Sequence, residues 1–387
     1  MLKMDFEENF RESFKISTLL KVFKALLIFW IVVKIAISTP YFPPHIGGVE
    51  EHVKNLMEKL KERGYKINVI SSIGSDITVP CIKIPYSPIP ITFPHIKADL
   101  YHSHVPSPFF ASKLDKVAKK ERKPHVITYH NDVIVPSKVN GYGIPRFLGR
   151  AVEKINDSIV NRLLDRVDLI IATTRSYAET SPILSKFIDK VKVVPNAIDP
   201  NEFKPGIDAG QREPVVLYVG RLVAYKGVST LIKAMAEVQK EVDAKLVIVG
   251  DGEDKKGFEK LAEKLNVKAV FTGRVPKKDV VYWMQKARVL VLPSFSRLEA
   301  FGIVLLEAMA CSTPVLGADT PGVAEVASYG GFTFKNNSEL VEIINELLSN
   351  DKLATKLGKM GRKAVEKKFN WNTVVNEIER IYFELLG

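Results

Sequence analysis

From Lys34 onward, short runs of β-branched and aliphatic residues alternate with longer amphipathic ones, and the alternation lapses once and then begins again. Such a pattern builds parallel sheets faced by helices, because a parallel strand pair needs a long crossover and a helix supplies it. Strands are predicted at 34–38 (KIAIS), 67–71 (INVIS), 81–84 (CIKI), 99–103 (DLYHS), 125–130 (HVITYH), 168–172 (DLIIA) and 191–195 (VKVVP), with helical periodicity over 49–63, 109–119 and 147–166. The stretch 196–214, rich in Pro, Gly and Asp, reads as an interdomain linker. Beyond it come strands at 215–220, 245–250, 269–273, 289–293 and 314–318, with helices near 228–240, 256–265, 278–287, 302–310 and 338–349. The expected fold class is α/β, with two tandem Rossmann-like doubly wound domains, 34–205 and 206–369, facing each other across a cleft. A last amphipathic helix within 370–387 has no strand after it and is expected to pack across both domains. The length agrees, since 387 residues exceed what one growing core accommodates.

Composition narrows the class. Apolar residues make up 46% and charged residues 26%, which excludes a disordered or fibrous chain. The two cysteines, Cys81 and Cys311, lie in different halves with no metal-ligand spacing, so a reduced, cytoplasmic compartment is expected and a disulfide framework is not. Net charge is +12, and residues 34–213 hold 26 basic against 19 acidic side chains, the largest local excess. A basic first domain suits anionic lipid, a phosphorylated acceptor or nucleic acid, and equally a plain solvated surface. Residues 1–33 form an N-terminal extension containing the apolar run Leu19–Val33. It is shorter than the roughly 20 residues of a spanning helix. An interfacial helix flanked by Lys21 and Lys24, a signal anchor, or an artefact of start-site choice all fit, and the lack of a small-residue cleavage site argues against secretion.

In doubly wound sheets ligands bind beyond the carboxyl ends of the strands, so the informative loops follow strands. In YVGRLVAYKG (218–227), Arg221 and Lys226 stand between a strand and a helix start, where two cations and amide dipoles suit a diphosphate; a structural ion pair is the alternative. In SFSRLEAFGIVLLEAMA (294–310), Glu299 precedes a helix and Glu307 sits on its second turn, while the amides of Phe301, Gly302 and Ile303 are free to cap a phosphate. Glu307 can accept from two adjacent ribose hydroxyls. GDG (250–252) is a tight turn and not a dinucleotide fingerprint. The loop at 273–276 could hold a nucleobase by main-chain hydrogen bonds, a plain strand-to-helix connection being the alternative, and Gly47-Gly48 let a ligand approach the first domain's helix start. His130 and Asp132 stand at a strand end. The HSH at 102–104 has metal-ligating residues but no third ligand in sight, and a loop role is expected for it.

Taken together, these motifs resemble the retaining glycosyltransferases of family 4, which have the GT-B fold, over about residues 34–387. EAFGIVLLEAMACSTPV (299–315) is similar to that family's two-glutamate motif, and GGVEEHV, PNAID, GRLVAYKG, GDG and GVAEV fall in its order. The resemblance implies that Arg221 and Lys226 bind a donor diphosphate and Glu307 its ribose. It implies contacts to the sugar and distal phosphate from Glu299 and the 301–303 amides, an approach by Gly48 from the opposite domain, base binding by the Val275 backbone, and contact of His130 with the sugar near the reacting carbon. Catalytic roles thus fall to His130 and Glu299. Ser312 departs from the pattern, standing where the family usually has Gly.

The implied activity is transfer of a hexosyl group from a nucleoside-diphosphate sugar, with retention, to a lipid-linked or saccharide acceptor in cell envelope polysaccharide or glycolipid synthesis. No DxD run occurs, so no metal and no cofactor are expected, and no nucleic-acid partner. KLDKVAKKERK (113–123), just after Phe109 and Phe110, suggests peripheral contact with the inner face of a membrane, a solvated helix being the alternative. The competing readings are a nucleotide-sugar epimerase of similar fold and a non-catalytic, membrane-associated sugar-nucleotide binder.

Overall fold

The computed structural model describes residues 32–387 apart from 46, 85–86, 136–137 and 140–141. All but the last two residues of the apolar run Leu19–Val33 therefore lie outside the described residues. Among those described, no helix is long and apolar enough to cross a membrane.

The first domain is a seven-stranded parallel sheet built from β1 (Lys34–Ser38), β2 (Lys66–Ser71), β3 (Ile77–Thr78), β6 (Leu100–Val105), β7 (His125–Tyr129), β10 (Leu169–Ala172) and β11 (Val191–Val193). Two small antiparallel pairs, β4 (Cys81–Ile82) with β5 (Ile89–Pro90) and β8 (Lys138–Val139) with β9 (Tyr142–Gly143), stand outside it. The sheet order β11-β10-β7-β6-β1-β2-β3 means that the chain first walks one way from β1 and then the other way from β6. The second sheet repeats this logic in six strands: β12 (Val215–Val219), β13 (Lys245–Val249), β14 (Ala269–Gly273), β15 (Val289–Leu292), β16 (Val315–Ala318) and β17 (Gly331–Phe334), in the order β14-β13-β12-β15-β16-β17. Strands covered by helices on both faces carry apolar residues continuously, as β12, β15 and β16 do. Each fully buried aliphatic or aromatic side chain contributes about 1.5–3 kcal/mol.

Two expectations need correction and two are refined. The segment CIKI is not a strand of the main sheet: β3 takes the edge position, and β4 pairs only with β5. The helix Trp371–Leu386 does not lie across both domains; Trp371, Val374, Val375, Ile378, Ile381 and Tyr382 join Val33, Ile35, Leu56 and Leu60 in the first domain's core. The linker is anchored on the second domain, because the buried Arg212 donates to the carbonyls of Met284, Ala287 and Cys311. Finally, Phe110 is buried and the helix Pro108–Glu121 turns Leu114 and Ala118 inward, so these apolar residues beside the basic run serve the core.

Candidate active site

The second domain's strand order reverses between β12 and β15, and the loops after those two strands meet there. The Ser294 hydroxyl donates to the Tyr225 carbonyl at 3.0 Å, tying one loop to the other. Lys226 and Glu299, one from each loop, form an ion pair that is mostly shielded from solvent. Burial works against the Lys226 charge, but the Glu299 carboxylate outweighs it and holds the ammonium above its ordinary pKa. Arg221 is exposed and, among the described residues, makes no ion pair.

The loop from β15 ends in the helix Ile303–Ala310, whose N-cap, Gly302, has φ +78°; a Cβ there would also lie 2.6 Å from Leu292 Cδ2, so position and space both require glycine. Phe301 is buried, its ring 6.3 Å from that of Phe369. Across the cleft stands Gly48, first residue of the helix Gly48–Glu62, where a Cβ would be 3.5 Å from Ile303 Cδ1. Two helix N-termini thus approach one another, each presenting unpaired amides and a positive dipole end. Val275 is half-buried in the apolar cluster that also holds Val219 and Ile303. Glu307 makes no side-chain hydrogen bond among the described residues; burial pushes its carboxyl up to about 7, with Lys277 pulling down and Glu202 and Glu51 pushing up. A recessed carboxyl without a partner is a group awaiting one.

The first domain contributes histidines. HSH is not a loop: His102, Ser103 and His104 lie within β6, fully buried. Nor is a third nitrogen lacking, because His52 from the helix Gly48–Glu62 and His130 after β7 join His104, their ring nitrogens within 4.8 Å of one another. His130 Nε2 and His104 Nδ1 share a hydrogen bond of 3.0 Å, while His52 Nδ1 and His104 Nε2 have no partner among the described residues. Burial depresses all three, His52 to about 4 and the others well below their ordinary value, so the imidazoles are neutral at pH 7. Among the described residues this trio is the one group of three such side chains close enough to share an ion. His102 stacks on His104 and bonds Tyr382 of the last helix at 2.7 Å, which buttresses the trio from the far end of the chain.

The sequence reading missed what joins the two halves. Asp132 accepts from Arg297 Nε at 3.1 Å, and the Arg297 guanidinium lies 4.6 Å from the centre of the Tyr177 ring. Asp132 is two residues from His130 and Arg297 two from Glu299, so this pair spans the cleft next to both. A second bridge runs from the Ser176 hydroxyl to Glu325 at 2.8 Å. Their charges are visible in the sequence only as separate residues, in HND at 130–132 and SRLE at 296–299, and pairing them requires the fold.

Two family models match the chain in succession, Glycosyltransferase Family 4 over residues 46–202 and Glycosyl transferases group 1 over 199–364. An uncharacterized glycosyltransferase of Methanocaldococcus jannaschii is 28% identical across 92% of this chain and all of its own length. The O-antigen chain mannosyltransferase C of Escherichia coli is 27% identical across 89% of this chain and 95% of its own. Among solved structures, an Anabaena protein in complex with UDP superposes with a TM-score of 0.70 at 19% identity, covering 91% of this chain and all of that one, a likeness of fold.

Proposed function

Because the chain belongs to the family 4 glycosyltransferases of GT-B fold, hexosyltransferases that use nucleotide sugars, we propose that it transfers a hexosyl group with retention to a lipid-linked or saccharide acceptor at the inner face of a membrane. The observation that carries this reading is the convergence of Lys226, Glu299 and the helix start at Ile303 on one side of the cleft with Gly48 on the other. The donor's diphosphate lies between the two helix N-termini, with Arg221 and Lys226 neutralising it. Glu307 accepts from both ribose hydroxyls, and the Val275 backbone holds the base.

Bond cleavage needs stabilisation of the departing phosphate, which fixed cations and amides provide without reorganisation. The acceptor oxygen bonds to the anomeric carbon on the face from which the diphosphate departs, and its proton passes to a phosphate oxygen of the leaving nucleotide. Glu299 orients the sugar, held in place by the pairing of one of its carboxylate oxygens with Lys226. Neutral His130 donates to or accepts from the sugar next to the reacting carbon without adding a charge. Neither a metal nor a cofactor is required, since the protein's own groups supply the positive field.

Titrating the protein with UDP-, GDP- and ADP-sugars by calorimetry identifies the donor. The same donor should then turn over in wild type and fail to do so in Glu299→Ala; full activity in that variant would remove the assignment.

A further inference from the structure

The helix Arg146–Arg166 is anchored by its second half, where Val160, Leu163 and Leu164 are buried, and its first turns stand out from the domain. There Phe147 is 71% exposed, Leu148 48%, Val152 54% and Ile155 63%. At about 100° per residue these side chains, with Ala151, share one side of the helix, and Arg146, Arg150 and Lys154 lie beside them. Gly149 faces the opposite way, with Val135 in contact distance of the Cβ it lacks. The helix follows β7, whose carboxyl end leads into His130, so its first turns belong to the edge of the sheet where the active site lies. Ile134, in the connecting segment, is exposed as well.

We propose that the exposed face of residues 146–155 is the surface by which the protein docks on an anionic lipid bilayer, bringing a lipid-linked acceptor to the cleft. An apolar stripe that enters the acyl boundary while flanking cations meet headgroup phosphates is the chemistry of an interfacial helix. The other occupants fit less well. A second copy would set the same three cations against each other across a two-fold axis. Residues 1–31, with Lys3, Arg11, Lys15, Lys21 and Lys24 against Asp5, Glu7, Glu8 and Glu12, carry no net negative charge to match a positive rim. The inference rests on the lipid-linked acceptor of the proposed function.

Co-sedimentation of the full chain tests it, with vesicles of phosphatidylglycerol and phosphatidylcholine set against phosphatidylcholine alone. Wild type should bind the anionic vesicles and release them as salt rises. Phe147→Glu combined with Ile155→Glu should lower partitioning on the order of tenfold or more, and Arg150→Ala or Lys154→Ala about fivefold each. Unfolding midpoint and nucleotide binding should stay at wild-type values in all of them. Equal wild-type binding to neutral and anionic vesicles, no binding, or wild-type partitioning of the double variant would overturn the proposal, the last by assigning docking to another segment. Transfer restricted to soluble saccharides, with vesicle binding intact, would instead remove the lipid-linked acceptor and leave this surface standing. Transfer to a detergent-solubilised lipid without vesicle binding would do the reverse.

Discussion

The two domains thread their strands by the same rule, reversing direction between β1 and β6 in one and between β12 and β15 in the other, yet they put opposite chemistry at that corner. The second domain presents Arg221, Lys226, Glu299 and Glu307 on loops and a helix start, charges arranged around a space. The first presents neutral imidazoles packed into the sheet and a glycine at its helix start. Under the proposed function, the difference teaches that one scaffold can be charged to hold an anion or kept dry and uncharged to frame a reacting centre, according to what ends its strands.

The largest expected effect separates these roles. Lys226→Ala should reduce turnover by on the order of 10²–10³, the usual consequence of removing one donor to developing negative charge. It should do so with the fold retained, as thermal unfolding would report. Opening the bridge between the domains should cost less: Arg297→Met removes the Asp132 pair and is expected to lower kcat/KM roughly tenfold, the share of about 1.4 kcal/mol, with nucleotide affinity unchanged. An equal loss in affinity would mean that Arg297 serves the donor and not closure.

A further test uses pH. Glu307 keeps its proton in the folded chain up to about pH 7, whereas in the unfolded chain it gives the proton up near 4.5. Between those values the folded state binds more protons, so its contribution to stability is present below 4.5 and is lost as pH rises through 7. If Glu307 accepts from the donor hydroxyls as proposed, binding requires the carboxylate, so nucleotide affinity should move the opposite way, strengthening as pH rises through 7 by several-fold, with proton release on binding. Glu307→Gln should flatten both profiles in calorimetry and thermal unfolding. The histidines should leave no inflection between pH 6 and 8, since burial keeps them neutral throughout. The smallest effect concerns the turn alone. Ser312 holds φ +55°, a left-handed conformation costly to any residue but glycine. Ser312→Gly should raise the unfolding midpoint by about 1–2 °C for a few tenths of a kcal/mol and leave turnover unchanged.

Much of the architecture was legible because strands buried on both faces write uninterrupted apolar runs, as at Val215–Val219 and Val289–Leu292. The helix Asp351–Lys368 was not, because Gly358 and Gly361 replace apolar side chains where it packs backbone-close on Ser312 and Met309, and that weakens the period. The destination of the last helix was hidden for another reason: an apolar face at Trp371–Leu386 says that the helix packs, not on which domain. At the site, local loops such as 218–227 and 294–310 displayed their residues in sequence. The histidine trio and the Arg297–Asp132 pair are assembled from distant segments, and only the β6–β7 register and the approach of the domains bring them together.

The division of labour between the domains is tested most directly by measuring nucleotide-sugar affinity and turnover in parallel for Lys226→Ala and His130→Ala. The expected result is weakened binding and lost turnover in Lys226→Ala, against wild-type binding and turnover reduced by about 10² in His130→Ala. Loss of nucleotide affinity in His130→Ala, with Lys226→Ala binding as wild type, would contradict it.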